Sequence, residues 1–440
     1  MPFLDTDREL SRRSYYAATA PRTTAYAPLP AGDHACDVAV IGGGLAGLSA
    51  ALELRERGFD VVLLEAEAIG HGASGRNGGQ AIYGLACDIT TIEDQLGSEA
   101  ARQVFAMSLE ALDLMRSRIE RFGIDCDWRD GYLGVANNPR KARALHDDVE
   151  LLAARYDHAM RWVEPRDLPQ WIASPRYVAA AHDPRSGHLH PLKYTLGLAR
   201  AAAGLGVRIH EGSAATALSQ QGNFVTFTTA GGARLRARHA LLAGNVYLNE
   251  VAPGLAPALG ARIMPVGTYI VCSKPLDPTL AASLIPCGAA VCDNNFILDY
   301  FRTTADHRML YGGRVSYSTR TPTNLAASMA RRMAHTFPQL RGVEVEFAWG
   351  GFIDISMNRA PDFGRLAGNE SRVYYLQGFS GHGLALTGVA GKLVAEAIAG
   401  DASRFDVFAR LRHLPFPGGA ALRTPALVLG MAYYRLKDML

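Results

Sequence analysis

The sequence lacks several features that mark common classes of proteins. Its six cysteines include no C-x-x-C pair, which in a chain of this length argues against a disulfide or metal framework. No unbroken apolar run reaches the ~18 residues that a membrane-spanning helix needs. The first ten residues carry four charges and no apolar stretch, so they lack the core of a secretory signal. We therefore expect no transmembrane segment and a location in the cytoplasm.

An excess of charge of one sign is also missing. Lysine and arginine number 45 against 42 aspartate and glutamate residues, and no long basic run is interleaved with aromatic residues. Nucleic acid is therefore not an expected partner. The closest cysteines, Cys287 and Cys292, have no flanking histidine or cysteine, so no metal site is predicted. A small molecule is the partner that remains.

Glycine, in contrast, is abundant and specifically placed near the N-terminus. The apolar run 37–41 leads into Gly42-Gly43-Gly44-Leu45-Ala46-Gly47, a G-x-G-x-x-G pattern. A helix is predicted over 48–57 and a second strand over 59–64, which ends at an acidic residue. Such glycines turn the chain, admit a pyrophosphate and let helix and strand pack closely, while the acid accepts both ribose hydroxyls. The unit predicts a dinucleotide site that includes Gly42, Gly44, Leu45, Ala46 and Glu65.

The segment after Glu65 favours FAD over NAD. An NAD domain would continue into a crossover helix, whereas residues 66–80 are dense in glycine and polar side chains. That composition is expected where backbone lies against a flat ligand such as a flavin ring. The expected cofactor contacts here are Ala66, Gly72, Ala73, Ser74, Arg76, Asn77, Gly78, Gly79 and Gln80.

A second glycine-rich loop lies far along the chain. Residues 378–383 read Gly-Phe-Ser-Gly-His-Gly and join a predicted strand over 373–376 to a predicted helix over 387–399. The N-terminus of that helix is suited to the negative charge of a reduced flavin. A nucleophile elbow, G-x-S-x-G, is not matched, because the fifth residue is a histidine. The expected contacts are Gly378, Gly381, His382, Gly383, Leu384 and Thr387.

A third segment follows a strand predicted over 238–242. The small residues Ala243, Gly244 and Asn245 that follow this strand would let the chain pass over a pyrophosphate. These three residues, together with Thr216, are therefore also expected cofactor contacts.

Together the three segments resemble the D-amino-acid oxidase superfamily of FAD-dependent oxidoreductases, from about residue 37 to residue 400. Within it the chain is most similar to the γ-glutamylputrescine oxidase group. The similarity to this group lies in residues 14–17, 73–79 and 300–302 and in the tail 422–436. The resemblance implies an α/β fold in which an FAD-binding Rossmann-like domain (33–90, 184–257, 345–400) is interleaved with a substrate domain (91–183, 258–344). The substrate domain is expected to hold a mostly antiparallel sheet, with strands over 262–273 and 296–317, and residues 401–440 to form a helical tail.

Departures from the pattern of related enzymes refine the expected chemistry. Monomeric sarcosine oxidases attach FAD to a cysteine before the second loop, but residues 354–358 contain none, so the FAD is expected to be non-covalent. His71 remains a conceivable attachment site. Those enzymes also bind a substrate carboxylate through a lysine where this chain has Leu384-Ala385-Leu386, which favours an amine over an amino acid.

The resemblance therefore implies oxidation of an amine, γ-glutamylputrescine or a related γ-glutamylated or primary amine, within polyamine catabolism. Hydride transfer from the carbon beside a neutral amine would yield an imine, and water would convert it to aldehyde and ammonia. The acceptor is O2, giving H2O2, or another species, because residues 308–314 lack the lysine that activates oxygen.

Five residues are candidates for the substrate site. Arg302 is the first and Arg314 the second candidate to bind the substrate's carboxylate, and His382 faces the substrate, the flavin or only its own loop. Tyr300 and Trp349 are candidate pocket residues. Two alternatives remain: a D-amino-acid or secondary-amine dehydrogenase that passes electrons to quinone, with 431–440 at a membrane surface, and a protein that keeps FAD for binding alone.

Overall fold

The computed structural model describes residues 7–8, 10, 13–295, 298–316, 324–366 and 371–417, with the side chains of 314–316 left out. The α-helices of this part are α1 (Tyr15–Thr19), α2 (Leu45–Glu56), α3 (Ile89–Leu96), α4 (Ser98–Arg121), α5 (Pro139–Tyr156), α6 (Pro191–Gly204), α7 (Leu248–Val251), α8 (Pro257–Gly260), α9 (Pro278–Leu284), α10 (Leu325–Thr336), α11 (Gly383–Ile398) and α12 (Ser403–Ala409). The strands are β1 (Gly32–Ile41), β2 (Val61–Leu64), β3 (Gln80–Ala81), β4 (Arg129–Ala136), β5 (Arg161–Val163), β6 (Ala179–His188), β7 (Arg208–His210), β8 (Ala215–Gln221), β9 (Phe224–Thr229), β10 (Ala233–Leu242), β11 (Ile263–Ser273), β12 (Ala290–Asp293), β13 (Tyr300–Thr303), β14 (Met309–Ser316), β15 (Val345–Ser356), β16 (Asp362–Arg365) and β17 (Val373–Gln377).

The first sheet is built around parallel strands. Its order is β16-β17-β10-β1-β2-β7, and the β8–β9 hairpin joins through β10. The pairs among β17, β10, β1, β2 and β7 are all parallel. Their carboxyl ends therefore lie at one edge of the sheet, which is where ligands bind in such folds. Helices α2, α4, α6 and α11 cover one face and form a shared apolar core with it.

The second sheet is mostly antiparallel. Its order is β15-β11-β14-β13-β12-β4-β6-β3, with β5 paired to β6. Among the described strands, β12 and β4 are its one parallel pair. Helices α9 and α10 contribute Leu284, Met329 and Met333 to the apolar core beneath it. The predicted α/β fold, with a parallel nucleotide-type sheet and a second antiparallel sheet, is confirmed.

Several element boundaries differ from those predicted. The helix expected over 387–399 begins at Gly383, because tertiary packing overrides the low helix propensity of glycine. The region 296–317 contains two strands, β13 and β14, joined by a turn. Boundaries proposed at 184 and 345 fall within β6 and at the start of β15, and both strands belong to the second sheet. The domain division itself stays a prediction.

The C-terminal tail is described only in part. Helix α12 covers 403–409, while residues 418–440, including the features noted at 422–436 and 431–440, lie outside the described residues. No single helix in the described ranges is long and apolar enough to cross a membrane, although α11 and α12, bent by 118° at their junction, pass that test as a pair.

Candidate active site

A cavity of about 990 Å³ lies between the two sheets, at the carboxyl ends of the parallel strands. Segments predicted from three distant parts of the sequence converge on it. The predicted cofactor residues that line it are Gly42, Gly44, Leu45, Ala46, Glu65, Ala66, Gly72, Ala73, Ser74, Arg76, Asn77, Gly78, Gln80, Ala243, Gly244, Asn245, Gly381, His382, Gly383, Leu384 and Thr387.

The first glycine-rich turn has no room for side chains. A Cβ at Gly47 would lie 2.0 Å from the carbonyl oxygen of Gly42, so only glycine lets α2 pack this closely on the turn. Gly42 adopts φ +116°, and a Cβ there would lie 2.5 Å from the carbonyl oxygen of Ala243. A Cβ on Gly44 would meet the Ser74 hydroxyl, which accepts a hydrogen bond from the N–H of Leu45. These contacts leave bare backbone and a helix N-terminus along the cavity, which fits a pyrophosphate.

Glu65 stands at the end of β2, in the wall of the same cavity. One carboxylate oxygen accepts the N–H of Gly43 at 2.6 Å and the other accepts the N–H of Glu67 at 2.9 Å. Burial raises the pKa of this carboxyl group. Held by these two donors, its remaining lone pairs can accept hydroxyl groups of a ribose.

The second loop delivers the N-terminus of α11 to the cavity. His382 stands at the N-cap position, and its Nε2 donates to the carbonyl oxygen of Tyr83 at 2.8 Å. Burial lowers the pKa of His382, more than that hydrogen bond raises it, so the imidazole is neutral at pH 7. The histidine lines the cavity and also ties the start of α11 to the segment that precedes α3.

Asp354 is a residue that the sequence reasoning missed. It is buried at the end of β15, and its carboxylate accepts the N–H of Gly378 at 2.5 Å and the N–H of Phe379 at 3.3 Å. Burial raises its pKa to about 6, while hydrogen bonds from these groups and from Asn245 act in the opposite direction. Asp354 thus holds the second and third glycine-rich segments together. A lone acid in the apolar stretch 351–355 was the available signal.

Asp7 is a second missed residue, and it holds the first loop. The guanidinium of Arg76 makes two hydrogen bonds to the Asp7 carboxylate, at 2.8 and 2.7 Å, and another to the hydroxyl of Tyr247. Asp7 is fully buried and Arg76 is 5% exposed. Hydrogen bonds from His71 and Arg76 keep the pKa of Asp7 below its usual value despite burial. An N-terminal residue therefore positions an arginine of the cavity wall.

Tyr300 lines the cavity as predicted, at the junction of the first loop and the second sheet. Its ring lies between two glycines: a Cβ on Gly78 would be 2.7 Å from the ring and one on Gly312 would be 2.1 Å from it. Both glycines are needed to accommodate the ring. Burial raises the pKa of Tyr300 above its usual range, so the phenol stays protonated.

Arg302 does not take the place expected of a substrate-binding arginine. Its Nε donates to the carbonyl oxygen of Gly78 and its Nη2 to that of Leu189, each at 2.9 Å, and Nη2 also reaches the hydroxyl of Tyr16. It is 3% exposed and does not line the cavity. The prediction that it binds a substrate carboxylate is therefore wrong in this structure, because the side chain stays outside the cavity and its Nε and Nη2 are bonded to Gly78, Leu189 and Tyr16. The side chain of Arg314 lies outside the described atoms.

Four further residues that were predicted to contact the cofactor or the substrate do not line the cavity. Trp349 is buried in a core cluster, where its indole N–H donates to the carbonyl oxygen of Arg76, and it does not line the cavity. Thr216 is exposed and bonded to the carbonyl oxygen of Thr228. Gly79 and Gly378 lie behind the cavity wall and serve as turns with φ +74° and +75°.

Comparisons with known proteins agree with this geometry. Residues 37–397 match the DAO family, described as FAD dependent oxidoreductase. The chain is 43% identical over 429 residues to gamma-glutamylputrescine oxidoreductase of Escherichia coli (strain K12), covering 97% of this chain and 98% of that protein. It shares its fold with glycine oxidase from Geobacillus kaustophilus (TM-score 0.71, 20% identity, 87% of this chain and 100% of that chain). L-proline dehydrogenase from P. horikoshii is similar in fold (TM-score 0.70, 20% identity, 87% and 98% covered). The chain belongs to the DAO family of FAD-dependent oxidoreductases.

Proposed function

We propose that the chain binds FAD without a covalent bond and oxidises γ-glutamylputrescine, or a related γ-glutamylated or primary amine, to an aldehyde and ammonia. The relative that is 43% identical over nearly the full length of both chains is named for γ-glutamylputrescine. The observation that carries the proposal is the convergence of three glycine-rich segments and the N-terminus of α11 on one cavity.

The turn at Gly42–Gly47 would hold the pyrophosphate and Glu65 the ribose. The loop around Arg76 and the start of α11 would hold the flavin ring. When bound, the flavin would accept the hydride from the substrate. The helix dipole and N–H groups of α11 favour negative charge at that end of the ring. One donor of this kind contributes roughly 3 kcal/mol to stabilising developing charge.

Outside the glycine-rich loops, the cavity wall includes three tyrosines, Tyr83, Tyr132 and Tyr300. Such a wall excludes water from the reacting carbon and favours the neutral amine over the ammonium ion, because burial penalises the charged form. His382 remains neutral and bonded to Tyr83, so its part is to hold α11 in place. Orientation and desolvation then account for the reactivity, and no general base is required.

Two observations support a non-covalent cofactor. Residues 354–358 offer a serine and no cysteine. Cys292 does line the cavity, but burial raises the pKa of its thiol well above the usual value, and a protonated thiol is a weak nucleophile. O2 is the proposed electron acceptor, with H2O2 as its product.

Anaerobic stopped-flow spectroscopy tests the proposal. γ-Glutamylputrescine should bleach the flavin band of the purified protein faster than putrescine, N-methylated amines or D-amino acids. Readmitted air should restore the band with stoichiometric H2O2. Bleaching by D-amino acids or secondary amines alone, with reoxidation by quinone but not by air, would support the dehydrogenase alternative. Bleaching by no amine would favour a protein that only binds FAD.

A further inference from the structure

Helix α11 begins without a capping side chain. Its N-cap residue is His382, whose imidazole is turned to the carbonyl oxygen of Tyr83 and makes no hydrogen bond to the first N–H groups of the helix. A serine, threonine or aspartate at this position would usually satisfy one of those groups. Gly383 and Leu384, the first two residues of the helix, line the cavity. The direction in which this turn faces the cavity therefore depends on what holds His382.

The loop that leads into α11 needs support from its surroundings. Gly378, Ser380 and Gly381 all adopt left-handed backbone, with φ of +75°, +53° and +88°. Left-handed backbone is unfavourable for serine, and such conformations persist only where the surrounding structure holds them. Asp354 holds the start of the loop, and the hydrogen bond of His382 holds its end.

Two buried serines hold the segment that presents the carbonyl group to His382. The hydroxyl of Ser186, in β6, accepts the N–H of Tyr83 at 3.1 Å. The hydroxyl of Ser108, in α4, accepts the N–H of Gly84 at 3.0 Å. The N–H of Gly84 and the carbonyl group of Tyr83 belong to the same peptide unit, which is planar. Ser108 and His382 therefore bond to two ends of one rigid group, and Ser186 holds the peptide unit before it.

Both hydroxyl groups are oriented as acceptors, because their own protons are engaged elsewhere. The hydroxyl of Ser108 donates to the carbonyl oxygen of Phe105 at 2.6 Å. The hydroxyl of Ser186 donates to the carboxylate of Asp183, which is fully buried and also accepts the N–H of Ser186 at 3.0 Å. A hydroxyl group whose proton is engaged can only accept at its lone pairs. These lone pairs face the N–H groups of the segment 83–84.

We propose that Ser108 and Ser186 are positioning residues for the flavin: they fix the carbonyl group that orients His382, and so set the reduction potential of the flavin through the N-terminus of α11. Neither serine lines the cavity, so both act through the segment 83–84. The inference rests on the proposed placement of the flavin ring at the start of α11, and it does not depend on which amine is oxidised. A helix N-terminus stabilises negative charge, and the effect falls off within the first turn. A small displacement of that turn therefore weakens the binding of reduced, negatively charged flavin more than the binding of oxidised flavin.

The midpoint reduction potential of the bound flavin tests this inference, because it reports the ratio of the Kd values for oxidised and reduced flavin. Ser108→Ala and Ser186→Ala each remove one acceptor. Ser273→Ala is the matched control, because Ser273 is also fully buried and its hydroxyl accepts a backbone N–H, that of Met309, at 3.0 Å. That N–H group has no part in the segment 83–84.

Each of the two serine variants should lower the midpoint potential by about 30 mV, which corresponds to a tenfold preferential loss of affinity for reduced flavin in a two-electron couple. The Kd for oxidised FAD should change by much less than that factor. Ser273→Ala should keep the wild-type potential. In a double-mutant cycle, Ser186→Ala should cause no further fall in a His382→Ala background, because the serine acts through that histidine.

Wild-type potentials in both serine variants would overturn the inference. An equal loss of affinity for oxidised and reduced FAD would do the same, since it reports only a general effect on folding. A fall in the His382→Ala background as large as in the wild type would place the serines on another route and also refute it.

If one serine variant does not retain FAD, the other is scored alone, because the two serines hold consecutive N–H groups. Loss of FAD from both variants would count against the inference. Wild-type protein that binds no FAD would refute the proposed function itself. Wild-type protein that binds FAD, with the same potential in every serine variant, would refute only the role of the two serines.

Discussion

Replacing Asp7 by asparagine should destabilise the protein far more than its position near the N-terminus suggests. The substitution preserves shape but removes the charge that faces Arg76, a residue that is 5% exposed and whose guanidinium makes two hydrogen bonds to Asp7, at 2.8 and 2.7 Å. Breaking a buried ion pair from one side typically costs about 3–5 kcal/mol, because the remaining charge stays buried without compensation. Since Arg76 also lines the cavity, weaker retention of FAD should accompany the loss.

The measurement is denaturant unfolding of the flavin-loaded protein at fixed excess FAD, followed by flavin fluorescence. Arg8→Gln is the matched control, because it removes a neighbouring charge whose partner, Glu67, lies in an exposed ion pair, and such pairs contribute less than about 1 kcal/mol. In a double-mutant cycle with Arg76→Met, the double variant should be more stable than the sum of the single effects predicts. A cost below about 1 kcal/mol for Asp7→Asn, or strict additivity in the cycle, would refute the buried-pair reasoning.

Two further results are expected. Gly47→Ala should yield protein without the yellow flavin absorbance, because the added Cβ would lie 2.0 Å from the carbonyl oxygen of Gly42. The control Gly204→Ala, whose Cβ would have no atom within 4 Å, should stay yellow. A yellow Gly47→Ala protein would contradict the proposed role of this turn in binding FAD. Asp354→Ala should raise the Kd for FAD by about 10-fold or more, because it frees two buried N–H donors, and a titration of apoprotein with FAD measures this.

The cofactor half of the site could largely be predicted from local sequence. Gly42, Gly47 and Glu65 have roles that follow from a strand–turn–helix–strand unit, and the structure places them accordingly. Their function depends on backbone conformation and on close neighbours in sequence, which a motif records. The second loop was also recognised, although its helix begins at Gly383, because packing of α11 against α2 extends the helix through a glycine.

The substrate half could not be predicted in the same way. Arg302 was a reasonable candidate for binding a carboxylate, yet its partners are carbonyl oxygens 224 and 113 residues away along the chain. The groups that hold the segment 83–84 have no local signal either, because Ser108 and Ser186 lie 24 and 103 residues along the chain from the N–H groups that they accept.

The sequence by itself predicted a dinucleotide-binding fold and membership of an FAD-dependent family, and it marked three glycine-rich segments as expected cofactor contacts, because these predictions follow from backbone requirements local to each segment. Only the tertiary structure decided which charges meet. Asp7 accepts a hydrogen bond from Arg76, which follows it by 69 residues in the chain. Asp354 accepts the N–H of Gly378, in the second glycine-rich loop, 24 residues further along the chain. Ionic and hydrogen-bonded partners depend on distance in space and on burial, and neither quantity is encoded at any single position of the chain.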